Sequence, residues 1–120
     1  FINLQYKDFA DDLSKVKDEL GVTIHNFEDL DHWNNIDDVS ALCAAIDMVA
    51  TNHGTVPLIS AAVGTPTKLA NWKQSPWNTI LNNPVGPSVD IFERNTPEPW
   101  DNVFRLIKNE IVKQKNNWSF

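Results

Sequence analysis

The chain is poor in the residues that build covalent or metal-held scaffolds. It has 120 residues and one cysteine, Cys43, so no disulfide can close within it, and a reducing compartment, the cytoplasm, is expected. Cys43 lies in the apolar run Ala41-Leu42-Cys43-Ala44-Ala45-Ile46, where a thiol packs as a small buried hydrophobe rather than acting as a nucleophile. His25, His32 and His53 stand far apart and lack the spacing of a metal site. Basic residues are few: ten Lys and Arg against sixteen Asp and Glu leave a net charge of −6. That balance excludes an extended nucleic-acid surface, which needs a basic stripe. No apolar run approaches the roughly 20 residues that span a bilayer, and no signal peptide is visible. Neither Gly-x-x-x-x-Gly-Lys-Ser/Thr nor Gly-x-Gly-x-x-Gly is present, so two common phosphate-binding fingerprints are excluded. There is no internal repeat and no low-complexity tract.

What is present suits one ordinary domain over residues 1–120: 42% of the chain is hydrophobic and 10% aromatic, enough for a packed core. The chain opens on Phe1 inside a strand-like run, as expected of a piece of a longer polypeptide. Strands are predicted at Phe1–Tyr6, Val22–Phe27, Met48–Thr51, Pro66–Asn71 and Ser88–Phe92. From Lys7 to Leu20 the apolar residues Phe9, Leu13, Val16 and Leu20 fall on one helix face, and Gly21 supplies the stop. Asn35 or Asp37 can cap a second helix over Asp38–Ile46. A short helix with almost no polar residue spans Val56–Val63 and should be buried on most sides. A last helix carries Trp100, Val103, Phe104, Ile107 and Ile111 on one face, with Pro97 or Pro99 able to open it. Its end, Lys113–Asn117, reads as fraying. Alternating strands and helices imply an α/β, Rossmann-like three-layer domain, with a parallel sheet of about five strands and helices on both faces.

In such sheets ligands sit at the carboxyl ends of the strands. After the third strand comes Thr51-Asn52-His53-Gly54-Thr55, then the Val56 helix. A loop that ends a strand and opens a helix directs free N–H groups outward at the positive end of the helix dipole, which suits phosphate. Gly54 lets a ligand approach the backbone, and Thr55 offers an N-cap or a hydroxyl; pure capping with no ligand is the competing reading. His53 is the best single candidate for acid/base chemistry or a phosphate contact. After the first strand, Gln5 can bond a base or ribose edge and Lys7 can neutralise phosphate, or Lys7 and Asp8 merely open a solvated helix. After the fourth strand, Trp72 and Trp77 can form a stacking wall for a base or sugar, or plug the side of the domain. The acidic stretch Glu28-Asp29-Asp31 with Asp37-Asp38 is read as capping and solubility rather than a metal site, and no cofactor is implied.

The opening Asn3-Leu4-Gln5-Tyr6, the middle Asp37-Asp38-Val39-Ser40-Ala41-Leu42 to Asp47-Met48-Val49, the run Thr55-Val56-Pro57-Leu58-Ile59-Ser60-Ala61-Ala62-Val63-Gly64-Thr65-Pro66, and Trp72 together resemble the C-terminal half of GT-B glycosyltransferases. The nearest groups are the heptosyltransferase-like domains attached to tetratricopeptide repeats and, more distantly, the O-linked N-acetylglucosamine transferases. The resemblance implies a domain that binds a nucleoside diphosphate-sugar as substrate. The partner it implies is an N-terminal domain of the same polypeptide, which supplies the acceptor site and often the base. It carries nucleotide contacts to Gln5 and Lys7 and diphosphate contacts to Gly54, Thr55 and Val56; Asn52 and Trp72 border the same place. Heptosyltransferase-like members have Asp-Thr or Asp-Ser ahead of this helix and a His in its first turn. Here His53-Gly54 and Leu58 stand at those positions. Diphosphate binding by backbone amides survives that change, because no side chain performs it. Two other classes remain open: a catalytically degenerate α/β interaction module, and a flavodoxin-like or response-regulator-like domain. The last would need acidic residues or a flavin at the strand ends, and the first strand ends in Gln-Tyr-Lys.

Overall fold

A computed structural model describes residues 1–73 and 87–117. The chain divides into two compact units, Phe1–Leu42 and Cys43–Phe120, with the division inside helix α2 (Ile36–Ala45).

In the first unit, the two segments expected as full strands meet in a single parallel bridge, Ile2 with His25. The Asn3 amide donates to the His25 carbonyl at 2.8 Å and the His25 amide to the Phe1 carbonyl at 2.9 Å. The ladder stops there because the Asn3 side chain takes over the next backbone groups. Its Oδ1 accepts from the Gln5 amide at 3.0 Å, and its Nδ2 donates to the Gln5 carbonyl at 3.2 Å and to Asn26 Oδ1 at 2.9 Å. Side-chain bonds of this kind compete directly with a sheet ladder. Helix α1 spans Ala10–Leu20 rather than starting at Lys7, since Asp8 holds a left-handed φ of 53° that no helix contains. Gly21, at φ 65°, closes the helix as expected, its amide donating to the Lys17 carbonyl at 3.0 Å. Helix α2 is capped by Asn35, whose Oδ1 accepts the Asp38 amide at 3.1 Å.

The second unit holds the sheet. Its strands are β1 (Val49–Asn52), β2 (Thr67–Trp72) and β3 (Val89–Arg94), all parallel and in that spatial order. Among the described residues the sheet therefore has three strands, not five. Helix α3 (Thr55–Ala62) joins β1 to β2, and α4 (Asp101–Asn116) follows β3. Residues 67–71 of the central strand are all buried, as a parallel strand covered on both faces requires. On one face the Thr67 hydroxyl bonds that of Ser60 on α3, both fully buried. On the other, Ala70 packs with Val103 and Ile107 of α4, flanked by Phe92, Trp100 and Ile111. Thr67 and Ala70 differ by an odd number of positions, so they point to opposite faces, and helices cover both. Thr65 donates to the Cys43 carbonyl at 2.7 Å and Thr67 to the Thr65 carbonyl at 2.9 Å, so the hydroxyls around the end of α3 are satisfied. Lys68, buried on β2, pairs with Asp90 at the register partner on β3.

Cys43 is fully buried, and burial pushes the thiol pKa up, in keeping with its reading as a small hydrophobe. Helix α3 is less enclosed than its composition suggests: Pro57, Ser60 and Ala61 are buried, but Ala62 and Val63 are exposed. Neither proline opens α4, which begins at Asp101, and Lys113–Asn116 are helical rather than frayed. Gln114 helps hold that end, donating to the Asp47 carbonyl ahead of β1 at 3.2 Å.

Candidate functional site

The turn from β1 into α3 lies at the carboxyl edge of the parallel sheet, where the loop geometry favours ligands. Gly54 is the N-cap of α3, in place of Thr55, and no side chain caps the helix. Its φ of 152° and ψ of −157° belong to a region that is essentially closed to other residues. A Cβ placed on Gly54 meets nothing within 4 Å, so glycine is needed for conformation and not for want of space. Thr55 and Val56 occupy the first two helical positions, and Pro57, the third, has no N–H to present. The donors that this turn can offer an anion are thus the amides of Gly54, Thr55 and Val56.

One aromatic wall stands beside these amides. The register pairs Asn52, the last residue of β1, with Ala70, so β2 continues for two residues beyond it. That overhang carries Trp72 to the loop, where its ring meets His53 edge-on, centroids 4.5 Å apart and planes at 77°. The structure thus brings Asn52, His53, Gly54, Thr55, Val56 and Trp72 to one edge. Asn52 and Thr55 are exposed there, and His53, Val56 and Trp72 are half-buried. Leu58, standing where a histidine was expected by resemblance, is half-buried. Trp77, the second half of the expected stacking wall, lies outside the described residues.

Gln5 and Lys7 belong to the first unit and are engaged locally. The Gln5 side chain donates to the Lys7 carbonyl at 2.9 Å, and the Lys7 ammonium sits 5.7 Å from the centre of the Tyr6 ring. His25 is exposed, with its backbone in the bridge. Sequence reasoning missed Arg94. It ends β3 in register with Trp72, lies 4.2 Å over the Trp100 ring and donates to the Glu98 carbonyl. The expected strand stopped at Phe92, so nothing in the sequence set Arg94 at the same sheet edge.

No family model matches the chain, and no solved structure does. Over 103 residues it is 36% identical to Protein FlbA of Caulobacter vibrioides. The alignment takes in 84% of this chain and 17% of that protein, so the chain corresponds to a small part of its relative's length.

The acidic stretch organises backbone. Asp31 Oδ1 accepts the Trp33 and Asn34 amides at 3.0 Å each, and Oδ2 accepts from the Asn34 side chain at 2.9 Å. The Asn34 side chain, then the Asn34 and Trp33 amides, hold the Asp31 carboxyl below its ordinary value of 3.8. A depressed folded-state pKa contributes stability above the unfolded value that is lost as pH falls through the folded one. An NMR titration is expected to give Asp31 a midpoint below 3.8 with the Trp33 and Asn34 amides moving in step. A midpoint at or above that value, or unmoved amides, contradicts the assignment. Among the described residues, no three His, Cys, Asp or Glu side chains gather as a metal site. No helix there is long and apolar enough to cross a membrane.

Proposed function

We propose that the chain is the nucleotide-sugar-binding domain of a GT-B glycosyltransferase-like protein, holding a nucleoside diphosphate-sugar for glycosyl transfer. The observation that carries this reading is the β1–α3 turn: a helix start without a side-chain cap, at the carboxyl edge of parallel strands, with a glycine-only backbone at its mouth. The diphosphate sits on the Gly54, Thr55 and Val56 amides, whose fixed dipoles also stabilise the charge that grows on the leaving diphosphate. Trp72, braced by His53, offers a face to the sugar or base. Gln5 and Lys7 are the nucleotide contacts that the resemblance adds. In this reading residues 1–120 form one Rossmann-like domain, the C-terminal part of a longer cytoplasmic protein. Its partner is an N-terminal half, with tetratricopeptide repeats as in the resembling groups. The short share of the FlbA relative that the chain matches supports a domain that works within a longer polypeptide.

The second reading, a degenerate interaction module, is favoured by one feature, Leu58 at the place of the expected histidine. Titration with UDP-, GDP- and ADP-sugars at millimolar concentration separates the two. The first reading expects one of them to shift the backbone resonances of residues 51–56, and those of residues 5–7 if the added contacts form. No shift with any of the three at those concentrations sinks it for this chain and leaves the module.

A further inference from the structure

The first unit exposes more apolar surface than its size can spare. Of ten large hydrophobic side chains that stand exposed among the described residues, six fall within its 42 residues: Phe1, Tyr6, Leu20, Phe27, Trp33 and Ile36. Val39 is its one fully buried apolar residue, and no residue of α1 is buried. A unit this small that buries so little gains little from its own core. Two of the exposed rings touch: Tyr6 and Trp33, 47% and 63% exposed, have centroids 4.7 Å apart and planes at 54°. Neither is on a loose loop. The Tyr6 segment is locked by the Asn3 and Gln5 side-chain bonds, and Trp33 is pinned through its amide by Asp31. The rings are therefore held out into solvent by structure.

Charge decides what covers them. The first unit has three Lys against ten Asp and Glu, a net of −7, whereas the second has seven Lys and Arg against six acids, a net of +1. A second copy of the first unit would meet it with the same charge, and an anionic membrane would repel it. A cationic polypeptide is attracted, and its Lys or Arg side chains can stack on the rings, as Lys7 already does on Tyr6.

We infer that the Tyr6–Trp33 pair is the anchor of a docking surface for a separate basic polypeptide with apolar side chains interleaved among its cations. The inference rests on the exposed rings and the charge of the first unit, not on nucleotide binding. It is tested on the full chain by fluorescence anisotropy with three synthetic peptides. These are an amphipathic Lys/Leu helix, its Glu/Leu counterpart, and a Lys/Gly/Ser peptide of equal charge without apolar residues. The Lys/Leu peptide is expected to bind at least about tenfold more tightly than either of the others. Trp33→Ala and Tyr6→Ala should each weaken it by about tenfold, and Val112→Ala, at an exposed apolar residue of the other unit, should not. Glu28→Gln with Asp29→Asn leaves both rings in place and should lower the affinity and flatten its salt dependence. Equal binding of the Glu/Leu peptide overturns the proposal, as does indifference to Trp33→Ala or to the charge substitutions. A dimer in sedimentation velocity that Trp33→Ala dissolves also overturns it, since a second copy then covers the patch.

Discussion

Leu69→Ala is expected to lower the stability of the sheet-bearing unit by about 2–5 kcal/mol, the ordinary cost of emptying a buried leucine site. Leu69 is fully buried at the middle of the central strand, between Thr51 on one neighbour and Ile91 on the other. With β2 paired on both sides, the backbone there has no room to close over the cavity, so the upper part of the range applies. Domains of this size have about 5–15 kcal/mol in total, so the loss is a large fraction of what holds the fold. Urea denaturation followed by tryptophan fluorescence should show a lower midpoint with an unchanged slope. A loss under about 1 kcal/mol would mean that the strand can collapse around the hole.

Gly54→Ala tests the turn itself. Since a Cβ at Gly54 meets no atom within 4 Å, the cost arises from the backbone conformation alone, and is about 1–3 kcal/mol. The chain can accept that strain or relax the loop. Relaxation turns the Gly54, Thr55 and Val56 amides away from a common point, so affinity for a diphosphate should fall by about tenfold or more. Leu58→Ala, one turn further along the helix, leaves the amides alone and should retain the affinity. Unchanged stability and unchanged nucleotide affinity in Gly54→Ala would show that neither the strain nor the anion cradle exists. Lost stability with unchanged affinity would place the diphosphate elsewhere.

Much of the second unit was legible because its signals are local. The apolar run at Val49, the glycine and proline punctuation around α3, and most of the apolar face of the last helix follow from near neighbours in sequence, although Phe104, expected on that face, stands exposed. Their boundaries in the structure differ by only a few residues. The first unit shows where local reading fails. Val22–Phe27 and Phe1–Tyr6 have the composition of strands, yet one bridge forms. The Asn3 side chain satisfies the Gln5 backbone that a second bridge would have used. Likewise the stretch from Lys7 has a helical apolar spacing, but the left-handed Asp8 delays the helix to Ala10.

The candidate site divides in the same way. The strand–glycine–helix order, and with it the identity of the amide donors, follows from the sequence alone, because backbone groups at a helix start are fixed by local geometry. The burial of Cys43 also follows from it; the expected acidic cap does not, since Asn35 caps α2 and Asp31 instead binds the amides of its own turn. Only the tertiary structure decided that β2 overhangs β1 and so brings Trp72 against His53, and that Arg94 ends the next strand in register with Trp72. It alone decided that Tyr6 and Trp33, distant in sequence, meet in the open. Those contacts depend on strand register and on which rings find no cover, and both are set by packing between segments that carry no record of each other along the chain.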